Sequence, residues 1–498
     1  GSEMCIRDRF TSRIVLESLG IEDYGIYNLV GGIVTIFAFL NSAMIATSQR
    51  FISYELGKGN LHKLKDVFCT TLTIHIAIAF IIVVLSEVIG VWFLNTKLNI
   101  PSDRMMAANW TLQLSIFVFA VNVISVPYNA SIVAHEKMSA FAYISIFEVS
   151  LKLAIAYLLL FISYDKLIVY SILVFCVALL LRSLYCFYCK RHFEECHYTF
   201  SFNIEQFREM FAFAGWSLVG NLGFSFKDQL SNILLNLFFG TVVNAARGIS
   251  VQVGSLINSF SANFMMAMNP QITKSYAVGD LYRSKELVYA GCRFSFYLLA
   301  VISLPIMINI TYILNLWLVE VPQYTDIFLI LTIVCNLLYA ISSPLTTAMQ
   351  ATGRIKWFQV IICIVMLTEL PIAYLLLSIG YPPYSVLYAS LFVTLLGVLI
   401  RIVLISRILP IYEIRYYVTH IFSKNILIVF ITYCIAYILH KKMEQDSFFT
   451  AVLSSFILEL ILFSLAYLCG LSSTERYVVN QKLVTILESK RRKNKQKK

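Results

Sequence analysis

Apolar runs long enough to cross a bilayer follow one another along almost the whole chain, separated by short polar connections. About 20 apolar residues cover the hydrocarbon core as a helix, and lipid leaves backbone amides no partner outside their own segment. Each run therefore predicts a transmembrane helix. The first half gives spans at Ile26–Thr47, Val67–Leu94, Ala107–Ala134, Ser139–Ser163 and Leu167–Cys189. The second half gives Phe211–Phe239, Val242–Met268, Tyr289–Leu318, Ile327–Gln350, Trp357–Ile379 and Val386–Ile408, and a last pair runs Ile421–Leu439 and Phe448–Leu468. Phe10–Leu19 reads as the end of one further helix, whose start the polar Gly1–Arg9 cannot supply. The expectation is that 1–9 is non-native, of the kind left by sequencing-adaptor read-through, and that the complete molecule has fourteen helices.

The two halves repeat. Gly59-Asn60-Leu61-His62-Lys63-Leu64-Lys65-Asp66 recurs as Gly279-Asp280-Leu281-Tyr282-Arg283-Ser284-Lys285-Glu286, about 220 positions later. With a few residues of slippage, Ile124-Ser125-Val126-Pro127 meets Ile341-Ser342-Ser343-Pro344. Two matching helical halves point to a transporter with its substrate site between them.

Basic residues fall on alternate connections. One side collects Arg50, Lys58, Lys63, Lys65, Lys137, Lys190, Arg191, Lys274, Arg283, Arg354 and Arg407, with the tail from Lys490 onward; the other holds few. The positive-inside rule makes that basic side, and so the C-terminus, cytoplasmic. The net charge of +11 is spread over these loops and the tail, which excludes nucleic-acid binding as its meaning. Hydrophobic residues at 59% and charged residues at 13% leave no room for a large soluble domain.

Ionisable residues inside spans are costly and mark cavities or partners. Asn221, Ser225, Asp228, Asn232 and Asn236 form a polar stripe at helical spacing with Lys227 beside it, and the next span carries Asn244, Arg247 and Asn258. Two readings stay open: a cavity in which Arg247 and Lys227 bind phosphate, or a Lys–Asp–Arg network that pins helices together. Glu148 and Lys152, four residues apart, form either an ion-coupling site or a self-neutralised pair. Glu369, two residues before Pro371, is a second coupling candidate, either as a lone proton-exchange site or beside a bundle cavity. Pro127 and Pro344 occupy matching positions and are candidate gating kinks, a static kink being the alternative. Cys186, Cys189, His192, Cys196 and His197 lie where a helix enters a basic loop and are not read as a metal site. The sequence shows no nucleotide-binding loop or hydrolase motif, so neither catalytic residues nor a cofactor are expected.

Several strings carry a resemblance. They are Gly20-Ile21-Glu22-Asp23-Tyr24-Gly25, Gln49-Arg50-Phe51, Pro127-Tyr128-Asn129-Ala130, Ala134-His135-Glu136-Lys137, Asn244-Ala245-Ala246-Arg247-Gly248-Ile249 and Tyr381-Pro382-Pro383. On these the chain resembles the polysaccharide-transporter branch of the multidrug/oligosaccharidyl-lipid/polysaccharide flippase superfamily, especially the O-antigen and capsule-repeat flippases of Bacteroidetes-like bacteria. The resemblance implies an all-α polytopic membrane protein, a MATE-like two-lobe bundle of six plus six helices with a terminal pair. The expected divisions are an N-lobe at 10–198, a C-lobe at 199–410, the pair at 411–471 and a basic cytoplasmic tail at 472–498. It implies flipping of an undecaprenyl-diphosphate-linked oligosaccharide across the bacterial inner membrane by alternating access, driven by proton or sodium exchange. Membrane lipids and glycan polymerases would be its partners. The rival readings are a multidrug and toxin extrusion cation antiporter and a polyprenol-linked glycan polymerase or ligase.

Overall fold

The computed structural model describes residues 38–97, 100–162, 164–199, 203–318, 321–441, 448–472 and 474–477, with scattered positions between 15 and 30 and at 480–481. The expectations for Gly1–Arg9 and for the tail from Lys490 lie outside the described residues. Those residues form helices and connections, with no strand among them.

In the first half, α1 is Ala38–Lys58, α2 Leu61–Leu85, α3 Met105–Ala134, α4 Met138–Leu158 and α5 Lys166–His192. A π-helical turn, Ser86–Gly90, carries α2 on into Val91–Lys97. The second half begins with two long helices, α6 at Ile204–Phe239 and α7 at Thr241–Ala277. Then come α8 Leu281–Ile308, α9 Ile310–Trp317, α10 Thr325–Ala351, α11 Lys356–Leu367, α12 Glu369–Ser378 and α13 Ser385–Ile408. The last pair is α14, Lys424–Lys441, entered through the π-helical Tyr417–Ser423, and α15, Phe448–Leu465.

Ten helical stretches among the described residues are long and apolar enough to cross a membrane. The apolar cores of α3 and α8 are mostly buried in protein, whereas those of Leu61–Thr96 and Phe448–Gly470 are mostly exposed. Exposed Phe80, Val88, Phe161, Phe430 and Phe463 suit a surface that meets lipid. Trp92, Trp110 and Trp357, all exposed near helix ends, suit the headgroup level.

Proline explains why the span predicted at Trp357–Ile379 is two helices. Pro371 has no amide to give the Leu367 carbonyl and its ring would crowd that carbonyl, so the helix breaks at Thr368. The break makes Glu369 the first residue of α12. The repeated Gly-Asn/Asp strings are helix junctions: Gly59 (φ 70°) and Gly279 (φ 86°) take left-handed backbone. The next residue caps the following helix. Asn60 accepts from the Lys63 amide at 3.1 Å and Asp280 from the Arg283 amide at 2.9 Å.

The chain divides into two compact units. One comprises residues 1–226, 266–284 and 347–367, the other 227–265, 285–346 and 368–498. In the first, a core around Phe68, Tyr128, Cys189 and Phe213 ties α2, α3, α5 and α6 together. At its rim Arg104 pairs with Asp23 and, at 2.8 Å, with Asp165, and these carboxylate contacts raise the guanidinium pKa further. In the second, Arg293 holds Glu475 bidentately at 2.5–3.0 Å, and Tyr297 donates to Asn425 at 2.5 Å.

Candidate functional site

The second unit contains a buried cluster of charges contributed by α6, α7, α10 and the start of α12. Lys227 on α6 sits 3.2 Å from Glu369 Oε2 and 3.3 Å from Asp228 Oδ1. The Glu369 side chain is fully buried (0% exposed) and that of Lys227 nearly so (13%), while Asp228 is largely open to the surroundings (60%). One turn along α6, Ser231 donates to Glu369 Oε1 at 3.1 Å. The Lys227–Glu369 contact is an ion pair without an aligned hydrogen bond, so Oε2 keeps unused accepting capacity. Arg247 on α7 is 4% exposed and lies within Coulombic reach of Lys227. Its Nη1 reaches Thr332 on α10 at 3.5 Å, and its Nε has no hydrogen-bond partner. Cys335, one turn from Thr332, lies within Coulombic reach of Lys227, Glu369 and Arg247.

These placements bear on both readings of the polar stripe. Lys227, Asp228, Glu369 and Arg247 do converge, and Glu369 is a paired carboxylate, not a lone one. The network does fasten α6 to α12. Arg247 is different, because a buried guanidinium held by one long hydroxyl contact is poorly compensated and is suited to receive an anion. Asn221 lies elsewhere, in the first unit, where its Nδ2 donates to Ser42 at 3.2 Å. Asn232 and Asn258 are half-buried.

Lys152 and Glu148 close on each other at 2.6 Å, the self-neutralised arrangement. Pro127 and Pro344 both lie inside continuous helices, α3 and α10. Of the loop cysteines, Cys189 donates to the Tyr128 carbonyl at 3.4 Å, and no three His, Cys, Asp or Glu side chains converge among the described residues. Three further arginines, Arg182, Arg293 and Arg401, lie within the apolar spans. Charge within an apolar span was the signal available for each of them.

Helices of this length and apolar surface, with a buried charge cluster inside the bundle, make this a multi-pass membrane protein, and the family matches make it a transporter. The model of the polysaccharide biosynthesis protein family matches residues 12–276, and that of the MatE family matches 217–375. The chain belongs to the polysaccharide biosynthesis protein family, the polysaccharide flippase branch of the multidrug/oligosaccharidyl-lipid/polysaccharide superfamily. Among curated proteins none matches the chain. Similar solved folds include a MATE transporter in complex with MaL6, with 13% identity, coverage of 82% of this chain and 93% of that one, and a TM-score of 0.67. A variant of the Vibrio cholerae MATE transporter VcmN gives 13% identity, 83% and 94% coverage and a TM-score of 0.68. A superfamily transporter from Pyrococcus furiosus, described as having a binding pocket of reverse polarity, gives 12% identity, 82% and 95% coverage and a TM-score of 0.62. They share the MATE fold with this chain.

Proposed function

We propose that the protein flips an undecaprenyl-diphosphate-linked oligosaccharide repeat unit, of the O-antigen, capsule or exopolysaccharide kind, from the cytoplasmic to the periplasmic leaflet. It does so by alternating access of two lobes, 10–198 and 199–410, carrying the pair 411–471, in the bacterial inner membrane with its C-terminus cytoplasmic. The supporting observation is Arg247, a buried guanidinium with no carboxylate within hydrogen-bond reach. A diphosphate headgroup offers the anionic oxygens such a group accepts, bidentately where geometry allows. Lys227 neutralises Glu369, so the carboxylate most deeply buried in the cluster is already occupied.

The second reading, a cation antiporter, draws on the same carboxylate: release of Glu369 from Lys227 would expose a buried anion to a cationic drug. The MatE match spans residues 217–375 and so includes both groups. One paired assay separates the readings. Proteoliposomes are tested for translocation of a lipid-linked oligosaccharide and for uptake of a cationic dye. At matched protein level, Arg247→Ala should reduce glycolipid translocation at least tenfold, the loss of one charge-assisted contact of about 1.5–3 kcal/mol. Glu459→Ala should leave it within twofold. Equal transport by both variants removes Arg247 from the site, and dye uptake without glycolipid translocation replaces the flippase reading by the antiporter one.

A further inference from the structure

The proline-bearing turn of each half is contacted by an arginine, and the two arginines are themselves repeat partners. Arg182 on α5 and Arg401 on α13 are related by a shift within two residues of the one that relates Pro127 to Pro344. In the first half, Arg182 Nη1 donates to the Ile124 carbonyl at 2.7 Å, and its guanidinium lies over the Tyr128 ring, 4.3 Å from the centroid. Ile124 and Tyr128 flank Pro127. In the second half, Arg401 Nη1 donates to Ser342 Oγ at 3.4 Å and its guanidinium lies 5.4 Å from the Tyr339 ring centroid. The carbonyl equivalent to Ile124, that of Ile341, accepts instead from Tyr417 Oη at 3.0 Å.

The chemistry of a kink explains the pattern. Proline supplies no amide, so the carbonyl four residues earlier, that of Val123 or Ala340, loses its helical donor, and the next carbonyl along, that of Ile124 or Ile341, lies in the turn that the proline ring loosens. In lipid an open carbonyl costs several kcal/mol unless a side chain or water satisfies it. A guanidinium can meet the need from a neighbouring helix while its face rests on an aromatic ring. Arg401 is 1% exposed with no carboxylate among the described residues within hydrogen-bond reach, so what compensates its removal from water is the turn and the Tyr339 ring it touches.

We infer that Arg182 and Arg401 are paired positioning residues that set the bends of α3 and α10 at Pro127 and Pro344. The first kink relies on its arginine for backbone donation. In the second, Tyr417, supplied by the segment leading into α14, makes the backbone donation, and Arg401 holds the Ser342 hydroxyl beside it. The inference goes beyond the substrate reading and does not need it.

Hydrogen–deuterium exchange on the detergent-solubilised full chain tests this without any substrate. Arg182→Gln should speed exchange of amides at 124–131 at least tenfold and leave 341–348 unchanged. Arg401→Gln should do the converse. Arg182→Lys should stay within threefold of the parent, since one donor reaches Ile124. Tyr417→Phe should loosen 341–348 alone, and it serves for the second kink if Arg401→Gln does not accumulate. The Arg182→Gln response should vanish in a Pro127→Ala background, where the ladder is continuous. Unchanged exchange in the glutamine variants, acceleration spread evenly along α3 and α5, or a response that persists undiminished without the proline would each make these arginines packing residues and overturn the inference.

Discussion

Lys227 and Glu369 stabilise one another in a place where neither would sit alone. Removing an ion from water costs several kcal/mol, and breaking a buried pair by deleting one partner leaves that cost uncompensated. Glu369→Gln keeps the shape and the Ser231 contact but leaves Lys227 facing Asp228, whose side chain is 60% exposed. The expected loss is about 3–5 kcal/mol, read as a lowered thermal unfolding midpoint in detergent. Replacing both members, Lys227→Met with Glu369→Leu, should cost far less than the two single changes added together. Additive losses would show that the charges do not depend on each other. Arg247, which has no such partner, should tolerate substitution better in stability than in transport.

At the scale of elements, glycines decide how closely helices approach. A Cβ on Gly223 of α6 would lie 2.8 Å from the Cys363 sulfur and 3.1 Å from its Cα, so α6 and α11 touch nearly backbone to backbone. Gly223→Val should therefore destabilise by about 1–3 kcal/mol through overpacking. Gly215, on the same helix, has nothing within 4 Å of the corresponding position. Gly215→Ala should instead stabilise by about 0.5–1 kcal/mol through helix propensity, and the two midpoints measured side by side check both signs. The positions of most helices were legible because apolar length in lipid admits one backbone solution, and the repeat string was legible because its Gly and Asn/Asp do local work at helix junctions. The break at Thr368 could have been read from Pro371. The Ser231–Glu369 contact could not, because it joins residues 138 apart whose meeting depends on packing. Lys227 and Arg247 read together as charges on neighbouring apolar spans and Glu369 apart from them, but that Lys227 pairs with Glu369 is a fact of three dimensions.

In the proposed cycle the whole molecule does something its individual helices do not: contacts between the halves at the basic side form and break. Within the first unit such contacts are present. Glu136, on the turn between α3 and α4, accepts from Lys274 Nζ at 2.7 Å and from Gln271 Nε2 at 3.0 Å, both on α7. Its backbone is left-handed, with φ 59°, which costs a residue with a side chain about 1–2 kcal/mol, so the turn is held in a form that presents the carboxylate to α7. Arg50 of α1 donates to the Gln350 and Ala351 carbonyls at 3.3 Å each, at the end of α10. A half-exposed ion pair contributes only about 0–1 kcal/mol, an amount that holds the turn against α7 without preventing its release. Glu136→Lys should set like charges against each other and break this contact, lowering translocation several-fold at matched expression. Lys274→Glu should do the same, by opposing Glu136. The exchange of both charges should restore most of the loss, since the attraction returns with its sign unchanged. If the double variant is no better than the worse single one, the pair does not act as a unit in transport.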